Sequence, residues 1–384
     1  MDLKRGTYSL NMCETRVGPC EQMKRFPRIV VLVVVNGLML AIGLILVELV
    51  LGSWLDSSRL NRLNLLKDCV RRFDISNLYE DANPVIQYSR DKYGLRGTYD
   101  HPGCIGLLTV GGSTTDQRCI RDGETWQDVL QGHFERAGIP MVVANAGVDG
   151  QSTYGHIKNF EWWFPHIPNL KPDYILFYVG LNDFHKEAGY GYDRLVEEES
   201  SRGLKGIIRD NSALWHMGRT LWGAYEARVV KKMGRDSIDF SAAQWTRNQL
   251  QNDYDFMDSR LDEYADRLRV LAQKTLEFDA TPIFATQPSR QYRITPEGII
   301  GRSTASFYDR HAYNGVDYYH MMVRLNGVTE SVAQEKGALF VDLAGCPGWE
   351  DSDFYDFVHM TPKGARKVGT WMFESLRDLF TQDE

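Results

Sequence analysis

Several features that mark particular classes of protein are scarce in this sequence. It has no lysine- or arginine-rich block, and 44 basic residues stand against 51 acidic ones, for a formal net charge of −7. Nucleic-acid binding depends on a concentrated positive surface, so this charge argues against a nucleic-acid partner. CxxC pairs and the Cys/His spacings of metal sites are also missing, so no metal is predicted. No internal repeat is visible.

Only one long apolar run is present, and it lies near the amino terminus. Residues 29–47 contain Asn36 as their only strongly polar member. A helix of that length spans about 30 Å, the hydrocarbon thickness of a bilayer. No small-x-small cleavage site follows it, as one would in a signal peptide. The sequence therefore predicts a retained, single-pass membrane anchor.

Basic residues on the two sides of this run set its expected orientation. Within 15 residues of the predicted anchor (29–55) there are four on the amino side and three on the carboxyl side, which favours a cytoplasmic tail and an extracytoplasmic domain. The part after the anchor is acidic overall, so no general attraction to anionic lipid is expected. The predicted organisation is a tail (1–28), an anchor (29–55), a polar connector (56–103) and a domain (104–384) with a helical insertion (184–281).

The six cysteines are divided by the anchor. Two precede it and four follow it, and on an oxidising side these four are either buried thiols or two disulfides. Cys119 and Cys346 each follow a predicted strand at the same edge of the sheet, so we predict a disulfide between them. The other cysteines are Cys13, Cys20, Cys69 and Cys104.

Short apolar runs alternate with helical patterns in the domain. Runs of this length bounded by glycine and polar residues predict buried strands. The predicted strands are 107–110, 141–144, 173–179, 282–286 and 338–343, and the predicted helices are 124–136, 257–271, 317–336 and one from Pro362 onward. This alternation predicts an α/β protein with a doubly wound, parallel, five-stranded sheet of flavodoxin-like type.

Four residues suited to chemistry follow predicted strands or precede the last helix: Ser113, Gly147, Asn182 and His359. Each alone has an ordinary interpretation, as a turn serine, a turn glycine, a capping asparagine or a surface histidine. Because the carboxyl ends of parallel strands meet at one edge of the sheet, we expect all four to converge there. That convergence predicts a catalytic site.

At these positions the sequence resembles the SGNH (GDSL-type) hydrolases, over roughly residues 104–376. The G-x-N-D and D-x-x-H blocks are specific to this family, whereas the Gly-Gly-Ser block and the single glycine of the second block are weak signals when taken alone. Gly112 departs from the family pattern, since many members carry aspartate there. The chain lacks G-x-S-x-G and so does not resemble an α/β-hydrolase. The matching blocks are Gly111-Gly112-Ser113, Gly147, Gly180-Leu181-Asn182-Asp183 and Asp356-Phe357-Val358-His359.

The roles of the site residues follow from this arrangement. Ser113 is the predicted nucleophile and His359 its general base, because a free serine hydroxyl is a poor nucleophile near neutral pH. Asp356 is expected to orient the imidazole. The resemblance implies that the amides of Ser113 and Gly147 and the side chain of Asn182 form an oxyanion hole. No cofactor is predicted.

Weaker predictions concern the substrate. Gln287 and Arg290 follow the fourth strand, and Tyr313 and Asn314 precede a helix, so all four are candidate substrate contacts. The insertion begins after the strand that ends near Asn182, so we expect it to border the site. It is rich in aromatic rings, which can pack against the faces of sugars. Those rings are Tyr190, Tyr192, Trp215, Trp222, Tyr225, Trp245 and Tyr254.

Three functions fit these predictions. The first is a membrane-anchored serine esterase that removes short acyl groups, above all acetyl, from an envelope or exported carbohydrate. The second is an O-acyltransferase that passes the same acyl-serine intermediate to a sugar hydroxyl. The third is a non-catalytic carbohydrate-binding or scaffold protein, against which the complete Ser/His/Asp set argues.

Overall fold

The structure is a computed structural model that describes residues 19–54, 59–184, 193, 195 and 203–380. Most of the predicted tail and part of the predicted insertion, including Tyr190 and Tyr192, lie outside the described residues.

The described residues form ten α-helices and thirteen strands. The helices are α1 (Pro19–Leu51), α2 (Ser113–Asp116), α3 (Trp126–Arg136), α4 (Thr153–Trp162), α5 (Leu181–Phe184), α6 (Leu204–Asn211), α7 (Ala213–Glu226), α8 (Asp258–Glu277), α9 (Gly315–Lys336) and α10 (Pro362–Phe380). The strands are β1 (Cys69–Asp74), β2 (Val85–Arg90), β3 (Leu107–Gly111), β4 (Val143–Asn145), β5 (Tyr174–Tyr178), β6 (Val230–Lys232), β7 (Trp245–Thr246), β8 (Thr281–Ala285), β9 (Tyr292–Thr295), β10 (Gly298–Arg302), β11 (Ser306–Tyr308), β12 (His311–Tyr313) and β13 (Leu339–Val341).

A parallel sheet of five strands forms the centre of the protein, in the order β13-β8-β5-β3-β4. Counted along the chain, the first of these strands lies between the second and the third, which is the flavodoxin-like order 2-1-3-4-5. The predicted fold class is therefore confirmed. The order reverses between β3 and β5, and this is where open α/β sheets bind their ligands.

Alternate side chains of the central strands pack into two separate cores. On one face, Leu107, Leu176 and Ile283 meet the apolar sides of α3 and α10. On the other face, Leu108 and Ile175 meet α4, α8 and α9. Because both faces are covered, the strands are apolar at nearly every position, and this is why they are visible in the sequence as short continuous runs.

Smaller sheets surround this core, and the sequence did not indicate them. The stretch from 184 to 281, predicted to contain no strand, contributes β6 and β7. Strand β6 pairs with β1 from the connector, and β7 pairs with β10. Each is only two or three residues long and half-exposed or exposed, so neither has the apolar periodicity on which strand prediction depends.

Helix α1 contains the predicted membrane segment. Its stretch Arg28–Leu51 is long and apolar enough to cross a bilayer, and none of that stretch is buried within the protein. By length and composition it suits either a membrane span or a signal sequence. Its orientation stays a prediction.

The predicted disulfide between Cys119 and Cys346 is wrong. Within the described chain Cys69, Cys104, Cys119 and Cys346 are all free thiols. Cys119 packs with the connector strands and Cys346 packs beneath α10, in two different apolar clusters. Two residues that each follow a strand of one sheet lie at the same edge of that sheet, but they need not lie within the distance that a disulfide spans.

A buried ion pair fixes the turn after β3 to the connector. Arg90 Nη2 lies 2.7 Å from Asp116 Oδ1, with side chains 3% and 1% exposed, and Arg90 also donates to the carbonyl oxygen of Gly147. The Tyr88 hydroxyl donates to the same carboxylate at 2.9 Å. Burial alone would raise the pKa of Asp116, but Arg90 and two further arginines outweigh it, so this pKa lies below its usual value.

We expect Arg90→Met to lower the free energy of unfolding by about 3–5 kcal/mol, because it takes from the buried Asp116 carboxylate its closest charged partner and leaves the longer contact with Arg118 at 3.5 Å. Urea unfolding of the detergent-solubilised chain at pH 7 measures this loss. Since the folded-state pKa of Asp116 is lowered, the contribution of the pair is present above about pH 4 and is lost as the pH falls further.

The matched control is Arg247→Met, which removes an exposed pairing with Glu297. It should change the free energy of unfolding by no more than about 0.5 kcal/mol. Equal effects of the two substitutions would contradict the importance of the buried pair.

Candidate active site

Ser113 lies at the carboxyl end of β3, at the position where the strand order reverses. The strand ends at Gly111, Gly112 makes the turn, and Ser113 is the first residue of α2. A first-turn amide has no carbonyl partner within its own helix. Both the hydroxyl and the amide of Ser113 are thus presented at the ligand-binding edge of the sheet.

His359 and Asp356 complete a hydrogen-bonded relay with this serine. The Ser113 hydroxyl oxygen is 2.7 Å from His359 Nε2, and His359 Nδ1 is 2.6 Å from Asp356 Oδ2. A carboxylate only accepts hydrogen bonds, so Nδ1 carries the proton and Nε2 of the neutral ring is the acceptor. This is the tautomer that accepts a proton from serine.

The loop that carries His359 is itself held in place. Asp356 Oδ1 accepts the amides of Val358 and His359 at 2.9 and 2.8 Å, and the ring of Tyr355 is stacked on the imidazole at 5.6 Å. Burial would raise the pKa of Asp356, but the hydrogen bonds and charge of His359, with the two amides, lower it below its usual value. Asp356 is therefore a carboxylate at neutral pH.

Asn182 lies against the turn at Gly112. Its side-chain amide donates to the carbonyl of Gln151 at 2.8 Å, which leaves a second N–H of that amide for another acceptor. A Cβ atom at position 112 would lie 2.1 Å from Asn182 Nδ2. This contact accounts for the glycine at position 112, because the space that a side chain would occupy is filled by Asn182.

Gly147 lies against Thr115 and Asp116 of α2, but its amide is already engaged. A Cβ atom at this position would lie 2.3 Å from the Asp116 nitrogen, so glycine permits the close approach of two backbone segments. The Gly147 amide donates to the side chain of Asn145 at 2.8 Å. The structure therefore does not offer it to a group bound at Ser113, unlike the amides of Ser113 and Asn182.

Ser113, Asn182 and His359 line a cavity of about 350 Å³. Of the four predicted substrate contacts, Gln287 alone is among the lining residues. Gln287 is 1% exposed, and its side-chain oxygen has no hydrogen-bond partner among the described residues. A buried acceptor without a partner is costly, so this atom is suited to a donor supplied by a ligand.

The other three predicted substrate contacts have structural roles, and none of them lines this cavity. Arg290 forms an ion pair with Asp351. Tyr313 is buried in the larger core. Asn314 caps α9, its side chain accepting the first-turn amides of the helix. In each case a polar or aromatic residue near a strand end has a helix or loop to stabilise, and sequence position alone does not separate that role from binding.

The aromatic rings of the insertion are likewise not at this site. None of those in the described chain lines the cavity. Trp245 is covered by the guanidinium of Arg293 at 3.8 Å, and Tyr254 donates to Asp317 at 3.0 Å. Trp215, Trp222 and Tyr225 belong to α7, next to α1. The described rings of the insertion therefore do not line the cavity, although the insertion itself reaches the site through Arg235.

Arg235 is the functional-site residue that the sequence did not indicate. Its Nη1 lies 2.8 Å from His359 Nε2, and its Nη2 lies 2.9 Å from Asp149 Oδ1. It follows β6 in the insertion, where no motif or periodicity marks it. The pairing of β6 with β1, which brings it to the site, cannot be read from the local sequence.

We expect Gly112→Ala to slow the covalent labelling of Ser113 by a fluorophosphonate about 10²–10³-fold, because the added methyl group displaces the Asn182 amide, a candidate oxyanion donor. The rate of labelling of the purified chain measures this. Gly327→Ala, where a Cβ atom meets nothing within 4 Å, is the control and should label at the original rate. Unchanged labelling of Gly112→Ala would exclude a role for this contact.

Comparisons with known proteins give matches among solved structures alone. No protein-family model matches the chain, and no curated protein matches it. A mutant of Axe2, an acetyl-xylooligosaccharide esterase from Geobacillus Stearmophilus, is 16% identical, with a TM-score of 0.40, over 70% of this chain and 93% of its own.

Two further structures are similar to the same degree. A putative lipolytic protein of the G-D-S-L family from Desulfitobacterium hafniense is 13% identical, with a TM-score of 0.39, over 70% of this chain and 98% of its own. The acetyl xylan esterase AlAXEase is 13% identical, with a TM-score of 0.39, over 70% and 99%.

The fold is established by the chain's own topology. The central sheet has the order 2-1-3-4-5, and Ser113, Asn182 and His359, from three of the four sequence blocks, line one cavity at its carboxyl edge. The chain has a flavodoxin-like, doubly wound α/β fold.

Proposed function

We propose that this chain is a serine esterase of the SGNH type that removes short acyl groups, above all acetyl, from a carbohydrate. The observation that carries this proposal is the relay of Ser113, His359 and Asp356, with distances of 2.7 and 2.6 Å. It lies in a cavity of about 350 Å³, a volume within the range of small-molecule sites.

The proposed reaction begins with the attack of the Ser113 hydroxyl on the ester carbonyl. His359 Nε2 takes the serine proton, while Asp356 holds the ring and stabilises the imidazolium. The amides of Ser113 and Asn182 stabilise the negative oxygen of the tetrahedral intermediate, and one such donor is worth about 3 kcal/mol of barrier. The alcohol leaves with the proton from His359. Water then attacks the acyl-serine with His359 as base, which releases the acid and restores Ser113.

Polar side chains in part of the cavity lining support a sugar rather than a long acyl chain as its occupant. Gln287 and Gln291 line the cavity with Ser113, whereas the carboxamide of Gln151 is engaged with His156 and Asn159. Carboxamides present both donors and acceptors, which suits hydroxyl groups. Gln287 in addition offers a buried oxygen that lacks a partner among the described residues. We therefore assign it to a hydroxyl of the alcohol part of the ester.

The proposal includes attachment to a membrane through α1, with the catalytic domain on the extracytoplasmic side. The exposed apolar stretch Arg28–Leu51 supports the attachment, and the larger number of basic residues on its amino side favours the orientation. An acetylated polymer of the envelope would then lie on the same side as the cavity.

We expect Ser113→Ala, His359→Ala and Asp356→Ala each to lower kcat for hydrolysis of 4-nitrophenyl acetate, the first two by about 10⁴-fold or more. The losses of Ser113→Ala and His359→Ala should not add in the double variant, because the two side chains act as one unit. Initial rates of the purified chain measure this. Ser303→Ala, whose hydroxyl bonds only to the Gln244 carbonyl at the surface, is the control. Full activity of Ser113→Ala would exclude the proposed reaction.

We expect Gln287→Met to raise KM for an acetylated xylo-oligosaccharide about tenfold while changing KM for 4-nitrophenyl acetate little, since only the sugar supplies a hydroxyl to this position. One hydrogen bond to a buried acceptor is worth about 1–2 kcal/mol, which corresponds to such a change. Gln334→Met, an exposed substitution on α9, should change neither constant. Equal increases for both esters would show that Gln287 maintains the cavity instead of recognising the sugar.

A further inference from the structure

Helix α7 turns its apolar side away from the protein. None of its 14 residues is buried. Its largest apolar side chains are spaced so that they share one arc of the helix, and all are open: Met217 is 56% exposed, Leu221 69%, Trp222 62% and Tyr225 58%. A surface helix ordinarily packs such an arc against the core. In α7 the arrangement is reversed.

The opposite side of α7 faces the body of the protein and is largely polar. His216, Arg219 and Glu226 line a cavity of about 440 Å³ together with residues of the connector, among them Lys67 and Arg71. The large apolar residues of this lining are Leu66 and Trp222, whose ring lies at the border between the cavity and the exposed arc.

Helix α6 continues the same exposed apolar surface. Leu204 is 74% exposed, and Ile207 and Ile208 are each 38% exposed. They are spaced at i, i+3 and i+4, so they lie on one side of the helix. Ser212 is the single residue between the two helices, and it caps the amino end of α7.

The junction of the two helices is attached to the carboxyl end of α1. Glu48 accepts hydrogen bonds from the Ser212 hydroxyl at 2.6 Å and from the amides of Ala213 and Leu214 at 2.9 and 3.2 Å. The Ser53 amide donates to the Asn211 carbonyl at 2.9 Å. The negative charge of this carboxylate lies at the first turn of α7, where it interacts favourably with the positive end of the helix dipole. The exposed apolar surface therefore begins where the apolar stretch of α1 ends.

The charge of this region is opposite to that of the whole chain. Helices α6 and α7 contain three Lys or Arg and two acidic residues, and three more basic residues (Arg228, Lys231 and Lys232) follow within six positions, whereas the chain carries a net charge of −7. Apolar side chains beside a surplus of basic ones are the composition of helices that lie in the surface of an anionic membrane. A soluble protein partner would explain the apolar arc but not its continuity with α1.

We propose that α6 and α7 lie in the surface of the bilayer that α1 spans, with their apolar arcs among the acyl chains and their basic residues at anionic phospholipid headgroups. Glu48 then fixes the angle between the spanning helix and the helices on the surface. This inference rests on the membrane attachment in the proposed function and is independent of the ester chemistry.

The test places a fluorescent amino acid at one of three positions in the full chain, reconstituted in nanodiscs of phosphatidylcholine and phosphatidylglycerol. Position 221 reports on α7, and position 40 reports on α1. Position 307 is the matched control, because Phe307 is 70% exposed on β11, close to the 69% of Leu221. Doxyl-labelled lipid is then added as the quencher.

We expect quenching at positions 40 and 221 and none at 307, with a shallow doxyl label acting more strongly than a deep one at 221. Quenching at 40 but not at 221 would overturn the inference and leave the anchor intact. A lack of quenching at both would overturn the anchor. If the fluorescence at position 221 changes with protein concentration and not with doxyl lipid, the apolar surface binds a second copy of the chain. That result would also overturn the inference.

A second measurement uses smaller substitutions and tests the headgroup chemistry. Brominated lipid should quench intrinsic fluorescence less in Trp222→Phe than in the unchanged chain, and Trp371→Phe on α10 should show no such difference. Replacing phosphatidylglycerol with phosphatidylcholine should weaken the quenching attributed to Trp222 at least twofold. Quenching that is insensitive to this replacement would overturn the role of anionic lipid, and identical behaviour of the two variants would overturn the placement of α7.

Discussion

The geometry of the proposed site depends on the buried ion pair between Arg90 and Asp116. Asp116 ends the short helix that Ser113 begins, and Arg90 comes from a strand outside the central sheet. Because Arg90 also donates to the carbonyl of Gly147, one guanidinium joins three segments of chain that are distant in sequence. Removal of either charge leaves the other buried without its closest charged partner, which is far more destabilising than the loss of an exposed pair. The connector is thus part of the support of the site and not only a link to the membrane.

A second constraint is steric. Asn182 approaches the turn at Gly112 so closely that no side chain fits there, and the carbonyl of Gln151 holds the amide in that position. The reversal of strand order between β3 and β5 brings these two turns together, since each follows one of the two strands. The nucleophile and its candidate oxyanion donor are therefore positioned by the sheet itself. The base comes from a loop, and hydrogen bonds that the amides of that loop donate to Asp356 supply the rigidity that a strand would otherwise give.

The sequence was most informative where structure is local and buried. Strand β5 and helix α8 have continuous or periodic apolar patterns, and they were predicted with errors of a few residues at their ends. The positions of Ser113, Asn182 and His359 followed, because parallel strands fix where their ends meet. Strands β6 and β7 were missed since two or three exposed residues have no periodicity. Arg235 was missed because it reaches His359 only through the pairing of β6 with β1. The disulfide failed because an edge of a sheet is much wider than a disulfide is long.

The contact between Arg235 and His359 has a consequence for the resting enzyme. A guanidinium always donates, and so does the Ser113 hydroxyl when it is activated, yet Nε2 of the neutral imidazole has one lone pair. In this arrangement two donors compete for a single acceptor. The competent state is the one in which Arg235 keeps its bond to Asp149 but leaves the imidazole. The observed rate is then the chemical rate multiplied by the population of that state.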